Sequence, residues 1–292
     1  MEWSHTLFYI VFISQILLLS WYLPKKLLAR MQHVLETYPP AMYPKLYPKP
    51  VEHYRMAHLL FKYVNRFIML LGYLILLALM FWVDHSTFAD DGFISEAWPA
   101  AYGMLQFLPL IAVELSEFSN LREMRQANTA SRRVASLQRR GLTNMVSPAL
   151  FGTAVLLFFG AIVFDLYVHD FAVTWGHDSV QRAIVMSVTN GLLAAVGLWS
   201  LYGRKQDPHQ STEDRAHNIA VNLKSLLFVS MALSVFNMMS AADNLVEMKA
   251  LEAVLVSIYF QAIALLSLGY VLKNVRTEDL DFDVYKEDPA IT

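Results

Sequence analysis

The chain has 292 residues, no cysteine, a formal net charge of −2, and 56% hydrophobic against only 16% charged residues. Soluble domains are usually about a quarter charged, so this composition points to a bilayer as solvent. A near-zero net charge argues against a nucleic-acid partner, and the absence of thiols excludes disulfides, thiolate metal sites and cysteine nucleophiles.

A helix needs about 20 mostly apolar residues to cross the hydrocarbon core. The chain offers seven such runs: Leu7–Leu23, Phe67–Val83, Ala101–Phe118, Ala149–Val168, Ala183–Tyr202, Leu226–Ala242 and Ala250–Leu272. They are too long for strands and lack the alternation of a barrel. The leader before the first run, MEWSH, carries Glu2 and no Lys or Arg, while the positives follow the run. That order predicts an uncleaved anchor with an exported N-terminus, not a cleaved signal peptide.

After the first run comes LPKKLLARMQHVLETY, with Leu27, Leu28, Met31, Val34 and Leu35 at helical spacing and Lys25, Lys26 and Arg30 beside them. This reads as an amphipathic helix lying against anionic lipid headgroups. The stretch TYPPAMYPKLYPKP, residues 37–50, then sets five prolines and three tyrosines between two apolar runs. Proline ends the helix and favours extended geometry, and tyrosine suits the headgroup layer. Residues 24–66 therefore read as a cytoplasmic interfacial helix and strap. A sharper reading makes residues 37–50 a docking strip for a protein partner.

The third run is the most polar. It carries Gln106, Pro109, Glu114 and Glu117, with Ser116, Ser119 and Asn120 close by. Glu114 and Glu117 are three apart and share a helix face. Carboxylates at membrane depth face the bundle interior and need a partner, for which Lys62, Arg66 and Lys224 are the candidates. The pair reads either as an ion- or proton-coupling site or as a structural ion-pair network. Pro109 would free a carbonyl beside it. In the coupling reading Gln106, Asn120, Asn190, Asn237 and Gln261 form a polar lining.

Residues 119–148 form a basic connection, with Arg pairs at 132–133 and 139–140. They would meet anionic headgroups. Farther along, Asp165 and His169 lie one helical turn apart, and with His177 they could hold a divalent metal on the outer face. No established ligand spacing such as HExxH accompanies them. The chain ends in an acidic tail, residues 277–292, whose composition is that of a disordered segment.

Charge decides the orientation. All Lys and Arg fall in the odd-numbered connections and the tail, save Arg182 and Lys249. Cytoplasmic loops hold such an excess, so the N-terminus is outside and the C-terminus inside. The fold class that follows is all-α: a polytopic membrane protein of seven transmembrane helices, with residues 1–276 as one domain. Three Asn-containing approaches (VNRFIML, TNMVSPAL, VNLKSLL) and the amides Gln106, Asn190 and Gln261 suggest one helix followed by three helical hairpins.

Several function classes drop out. There is no Gly-rich phosphate loop, no pair of mid-membrane histidines for stacked haems, and no lysine in the seventh run for a retinal Schiff base. No catalytic residue stands out and no cofactor is required beyond the metal alternative, so an enzyme is the less favoured class. The leading expectation is a small ion- or proton-coupled transporter or channel of the cell membrane, the inner membrane in a bacterium. The alternatives are a non-transporting subunit, sensor or scaffold that docks a partner through its basic and Pro/Tyr face, and an outward-facing metal-dependent intramembrane enzyme.

Overall fold

Residues 2–82, 89–90, 93–128, 141–175, 178–203, 207–246 and 249–287 are described by the computed structural model. The first helix runs unbroken to Thr37 as α1 (Glu2–Leu17), a π-helical turn (Leu18–Tyr22) and α2 (Leu23–Thr37). Pro24 lies at the start of α2 and has no amide hydrogen for the Ser20 carbonyl. The helix widens there, and the Leu23 amide reaches back five residues to the Leu18 carbonyl. The basic segment expected as a separate interfacial helix is thus a direct continuation of the first span.

α3 (Val51–Trp82) and α4 (Ala97–Ala127) follow, with a short ladder between them pairing Ala89 with Ile94 and Asp90 with Phe93. α5 (Leu142–Met145) is one turn, set before α6 (Pro148–Val168), α7 (Asp178–Tyr202) and α8 (Thr212–Val246). The last span joins α9 (Glu252–Ala264), a second π turn (Leu265–Gly269) and α10 (Tyr270–Asn274). The expected 119–148 loop is shorter than its sequence limits, because α4 stays helical to Ala127. Arg132, Arg133, Arg139 and Arg140 lie outside the described residues.

Among the described residues six helices are long and apolar enough to cross a membrane, where seven were expected. The difference is α4. At 31 residues it extends about 46 Å, more than the hydrocarbon core requires. Its polarity is the obstacle: Gln106, Pro109, Glu114 and Glu117 make its apolar stretch less hydrophobic than those of the other six, and Arg122, Glu123 and Arg125 follow directly.

The helices fall into two halves. α1, α3, α4 and α9 surround a core of Phe8, Phe12, Ile16, Ile68, Leu76, Leu79, Tyr102 and Val254. Small residues permit the close approaches: a β-carbon on Gly103 would enter the Phe260 ring, and one on Gly72 would strike the Tyr102 phenol. The other half is α6, α7 and α8, with Val146, Leu201, Ile219 and Leu223 at its centre. Here α6 and α7 do not pack as the expected hairpin. Both pack chiefly on α8, which lies between them.

The seam between the halves runs along α8 against α9, the second π turn and α10. Phe236 stacks on Tyr259 at 4.2 Å, Phe228 meets Tyr270 edge-on at 5.2 Å, and the Ser225 hydroxyl donates to the Leu266 carbonyl at 3.1 Å. That carbonyl belongs to the π turn, where helical hydrogen bonding is already loosened. The two π turns share one apolar cluster: Leu19 and Leu23 at the first lie in it with Ala264 and Leu268 at the second. Outward faces such as Leu70, Leu74 and Leu77 of α3 and Met104, Leu108 and Ile111 of α4 are exposed. In a bilayer these meet lipid, and close packing between helices supplies the cohesion.

One end of the bundle carries residues 38–50, the 207–211 connection and residues 275–287; we call it the strap end. Here the acidic tail departs from its expected disorder. It forms short turns at Thr277–Asp279 and Asp283–Tyr285 and buries Phe282 and Tyr285 beside Tyr43. Phe282 stacks on Tyr38 with ring centroids 3.8 Å apart, and Tyr38 meets Tyr43 edge-on at 5.2 Å. Two buried aromatic rings outweigh an otherwise polar composition. The tyrosines of the strap form the slot that receives the tail.

Candidate functional site

The inward face of α4 is buried at Pro99, Tyr102, Gly103, Gln106 and Pro109, and again at Met124. Glu117 lies roughly three turns after Gln106 and two before Met124, so it belongs to that face. Yet Glu117 is exposed, as is Glu114 three residues earlier. The surrounding chain nevertheless crowds both carboxyls enough for burial to be the largest influence on them, so at this level they face a crevice beside α4 and not a convex surface. Pro109, just above, withholds an amide from the Leu105 carbonyl without breaking the helix.

The charges around Glu117 come from both halves. Its strongest electrostatic neighbours are Glu114, then Asp207 beyond α7, then Arg30 on α2. Arg30 in turn feels Glu117 and Glu278 of the tail. Glu117 and Glu278 thus share the Arg30 guanidinium while Glu114 and Asp207 act on Glu117, which leaves the crevice acidic. Asp207 is held firmly: its Oδ1 accepts from the His209 and Gln210 amides at 2.8 and 3.3 Å, and its Oδ2 from the Tyr285 hydroxyl at 2.7 Å. Burial first, and then Asp207, keeps the Tyr285 phenol protonated well above the ordinary tyrosine range.

The expected counter-charges are elsewhere. Among the described residues no ion pair joins Glu114 or Glu117 to Lys62, Arg66 or Lys224. Arg66 is exposed on α3, and Lys62 and Lys224 are half-buried on α3 and α8. Arg30 stands in their place. Its signal was its position on the helical face of Leu27, Val34 and Met31, which the headgroup reading absorbed. Next to the acids, Lys49 of the strap bridges to Glu123 at 3.5 Å and donates to Ser119 at 3.3 Å. The Asn120 Oδ1 is buried without a hydrogen-bond partner.

Apart from Asn120, the expected polar lining divides into three. Gln106 and Gln261 belong to one network with Gln15, Ser14, Ser20, Tyr102 and Ser257, buried at its centre and reaching the surface at Ser14. Gln15 Nε2 donates to Gln106 Oε1 at 3.0 Å, and Gln106 Nε2 to Ser20 Oγ at 2.8 Å. Ser257 donates to Gln15 Oε1 at 2.6 Å, Ser14 to Gln261 Oε1 at 3.0 Å, and Tyr102 to the Ile68 carbonyl at 3.0 Å. Gln15 and Ser257 are fully enclosed. Asn190 instead receives the Ser230 hydroxyl between α7 and α8, and Asn237 bonds back to the Leu233 carbonyl at 2.9 Å. Sequence reasoning passed over Gln15, although an amide within FISQILLL is itself the signal of a helix–helix hydrogen bond.

At the opposite end the proposed metal ligands Asp165 and His169 do meet, but a third side chain joins them. Arg182 Nη2 lies 3.0 Å from Asp165 Oδ1 and 2.8 Å from His169 Nε2. The His169 Nδ1 lies 2.8 Å from the Asp165 carbonyl, which can only accept, so Nδ1 carries the hydrogen and Nε2 accepts from Arg182. A guanidinium thus occupies the position expected for a divalent ion. His177 lies outside the described residues, and among those described no three His, Asp or Glu side chains form a metal-binding group. Asp165 is 5% exposed, and its Oδ2 has no hydrogen-bond partner. One of only two basic residues on this side, Arg182 joins α6 to α7 where they otherwise barely touch.

No protein-family model matches the chain, and neither does any curated protein or solved structure, so its function is argued from this geometry.

Proposed function

We propose that the protein is a small proton- or cation-coupled membrane carrier in which Glu117, with Glu114, takes up the coupling ion from the crevice. One observation carries this reading: Glu117 is exposed on a face of α4 that is buried above and below it. A carboxylate held there, in the field of Glu114 and Asp207, attracts cations, and Arg30 sets the balance of charge. α4 is then a seventh crossing, lined by the other helices and kept from lipid on its charged side. The excess of Lys and Arg puts the strap end in the cytoplasm. Lys25 over Trp21 and Lys26 over Tyr22 would meet anionic headgroups there. Beyond Glu117 the path is closed by the amide network and the paired π turns. The turns are the natural place for a gate, since their backbone bonds are already rearranged.

The test is ion flux in proteoliposomes under an imposed pH or cation gradient. Glu117→Gln should abolish flux and Glu114→Gln reduce it, with folding unchanged. Flux that is absent from the wild type, or indifferent to Glu117→Gln, rejects the reading.

A second reading, a non-transporting membrane subunit, is favoured by the enclosed and mutually satisfied Gln15–Gln106–Ser257 network. Such a subunit would dock its partner at residues 37–50 only by displacing the tail. It predicts no flux and a co-purifying protein whose retention depends on Tyr38.

A further inference from the structure

The tail, residues 277–287, touches both halves of the bundle. On the strap side, Phe282 stacks on Tyr38, and the Lys286 ammonium lies 5.5 Å from the Tyr43 ring centre. These partners belong to the connection between α2 and α3. On the other side, Tyr285 donates to Asp207 at 2.7 Å and the Asp281 amide to Asp214 Oδ2 at 3.0 Å. Just before the tail, His217 of α8 lies 2.9 Å from the Asn274 carbonyl. These partners belong to the connection between α7 and α8 and to the start of α8.

The crevice lies at the same seam. There Glu117 of α4 feels Arg30 of α2 in one half and Asp207 in the other. Glu278 of the tail acts on Arg30, and Tyr285 fixes Asp207. Any movement that widens or narrows the crevice by shifting one half against the other therefore has to stretch or release these contacts.

We propose that residues 277–287 are a clasp that ties the α1–α4 and α9 half to the α6–α8 half and holds the crevice mouth at one width. Undocking frees the halves to shift about the α8–α9 seam. That the clasp regulates ion uptake rests on the coupling reading above, whereas its mechanical role does not. Two features make the contact releasable. It lies outside the spans, and Phe282 and Tyr285 are its only large buried anchors.

The absence of cysteine permits a direct test. Spin labels at Gln32→Cys on α2 and Glu213→Cys on α8, both exposed and clear of the tail's contacts, report the distance between the halves in nanodiscs. The full chain should give one narrow distance peak. Truncation after Arg276 should cost that peak in favour of a broad distribution reaching longer distances, and a peptide of residues 277–287 added in trans should restore it. In case the truncated chain folds poorly, the full-length Phe282→Ala/Tyr285→Phe double variant should show the same broadening. An unchanged peak in the double variant overturns the clasp. Flux separates the clasp from the coupling site: broadening with no dependence of flux on Glu117 keeps the clasp and removes the coupling reading.

Discussion

Gln106→Leu measures whether the amides at the bundle centre are a structural network or the lining of a path. Leucine is close in volume, so little cavity forms and the loss is mainly polar. Three bonds disappear: Nε2 to Ser20 Oγ at 2.8 Å, Nε2 to the Gln15 carbonyl at 3.3 Å, and the 3.0 Å bond accepted from Gln15 Nε2. Interhelical hydrogen bonds in membranes average about 0.6 kcal/mol each, so the variant should lose about 2 kcal/mol. That is roughly a thirtyfold shift in the unfolding equilibrium. Gln15 Nε2 would keep only its long 3.4 Å contact with the Pro99 carbonyl. The Gln15→Leu/Gln106→Leu double variant should then lose less than the two singles together, because the shared bond is counted once and no amide is stranded. Reversible unfolding in mixed micelles provides the free energies. A neutral Gln106→Leu, with strict additivity in the double variant, would refute the network and return Gln106 to a hydrated lining.

Arg182→Gln leaves Asp165 buried beside only His169, and should cost about 3 kcal/mol by the same unfolding assay. Adding Asp165→Asn should recover part of that loss, whereas a bound metal as the true partner of Asp165 would make Arg182→Gln stabilising. Gly103→Ala drives a methyl group into the Phe260 ring and should destabilise by about 1–3 kcal/mol, measured the same way. Raising pH should release the clasp. The Tyr285 phenol is raised above its ordinary value in the docked tail, so docking is fully stable below that ordinary value of about 10 and is lost as pH climbs through the raised one. Tyr47, pushed up to about 12 by burial and then by Tyr54, should also titrate late. Tyrosinate absorbance should lose its latest-titrating step in Tyr285→Phe. If that step remains unchanged, Tyr285 is not buried against Asp207.

Much of the architecture is legible in the residues themselves. Apolar runs of membrane length announce helices because a bilayer leaves no other partner for the backbone. Six of the seven anticipated spans coincide with helices that are long and apolar enough to cross. The prolines at 39, 40, 44, 48 and 50 end α2 before α3 begins, because proline lacks the amide a helix requires. The proximity of Asp165 to His169 follows from helical periodicity alone.

The remaining features depended on which surfaces meet in three dimensions. Composition assigns disorder to the tail because it averages over residues, whereas burial acts on two of them, Phe282 and Tyr285. Charge complementarity alone offered Glu117 several basic partners, and the position of α2 against α4 selected Arg30 over Lys62, Arg66 and Lys224. Arg182 reached Asp165 because α8 brings α6 and α7 to the same level, a relation no spacing within either helix contains. Gln15 and Gln106 are 91 residues apart, and only the approach of α1 to α4 makes them one network. Local periodicity sets which residues share a face of a helix. The partner of that face is set by packing among helices distant in sequence, and so is the level at which the packing opens around Glu117.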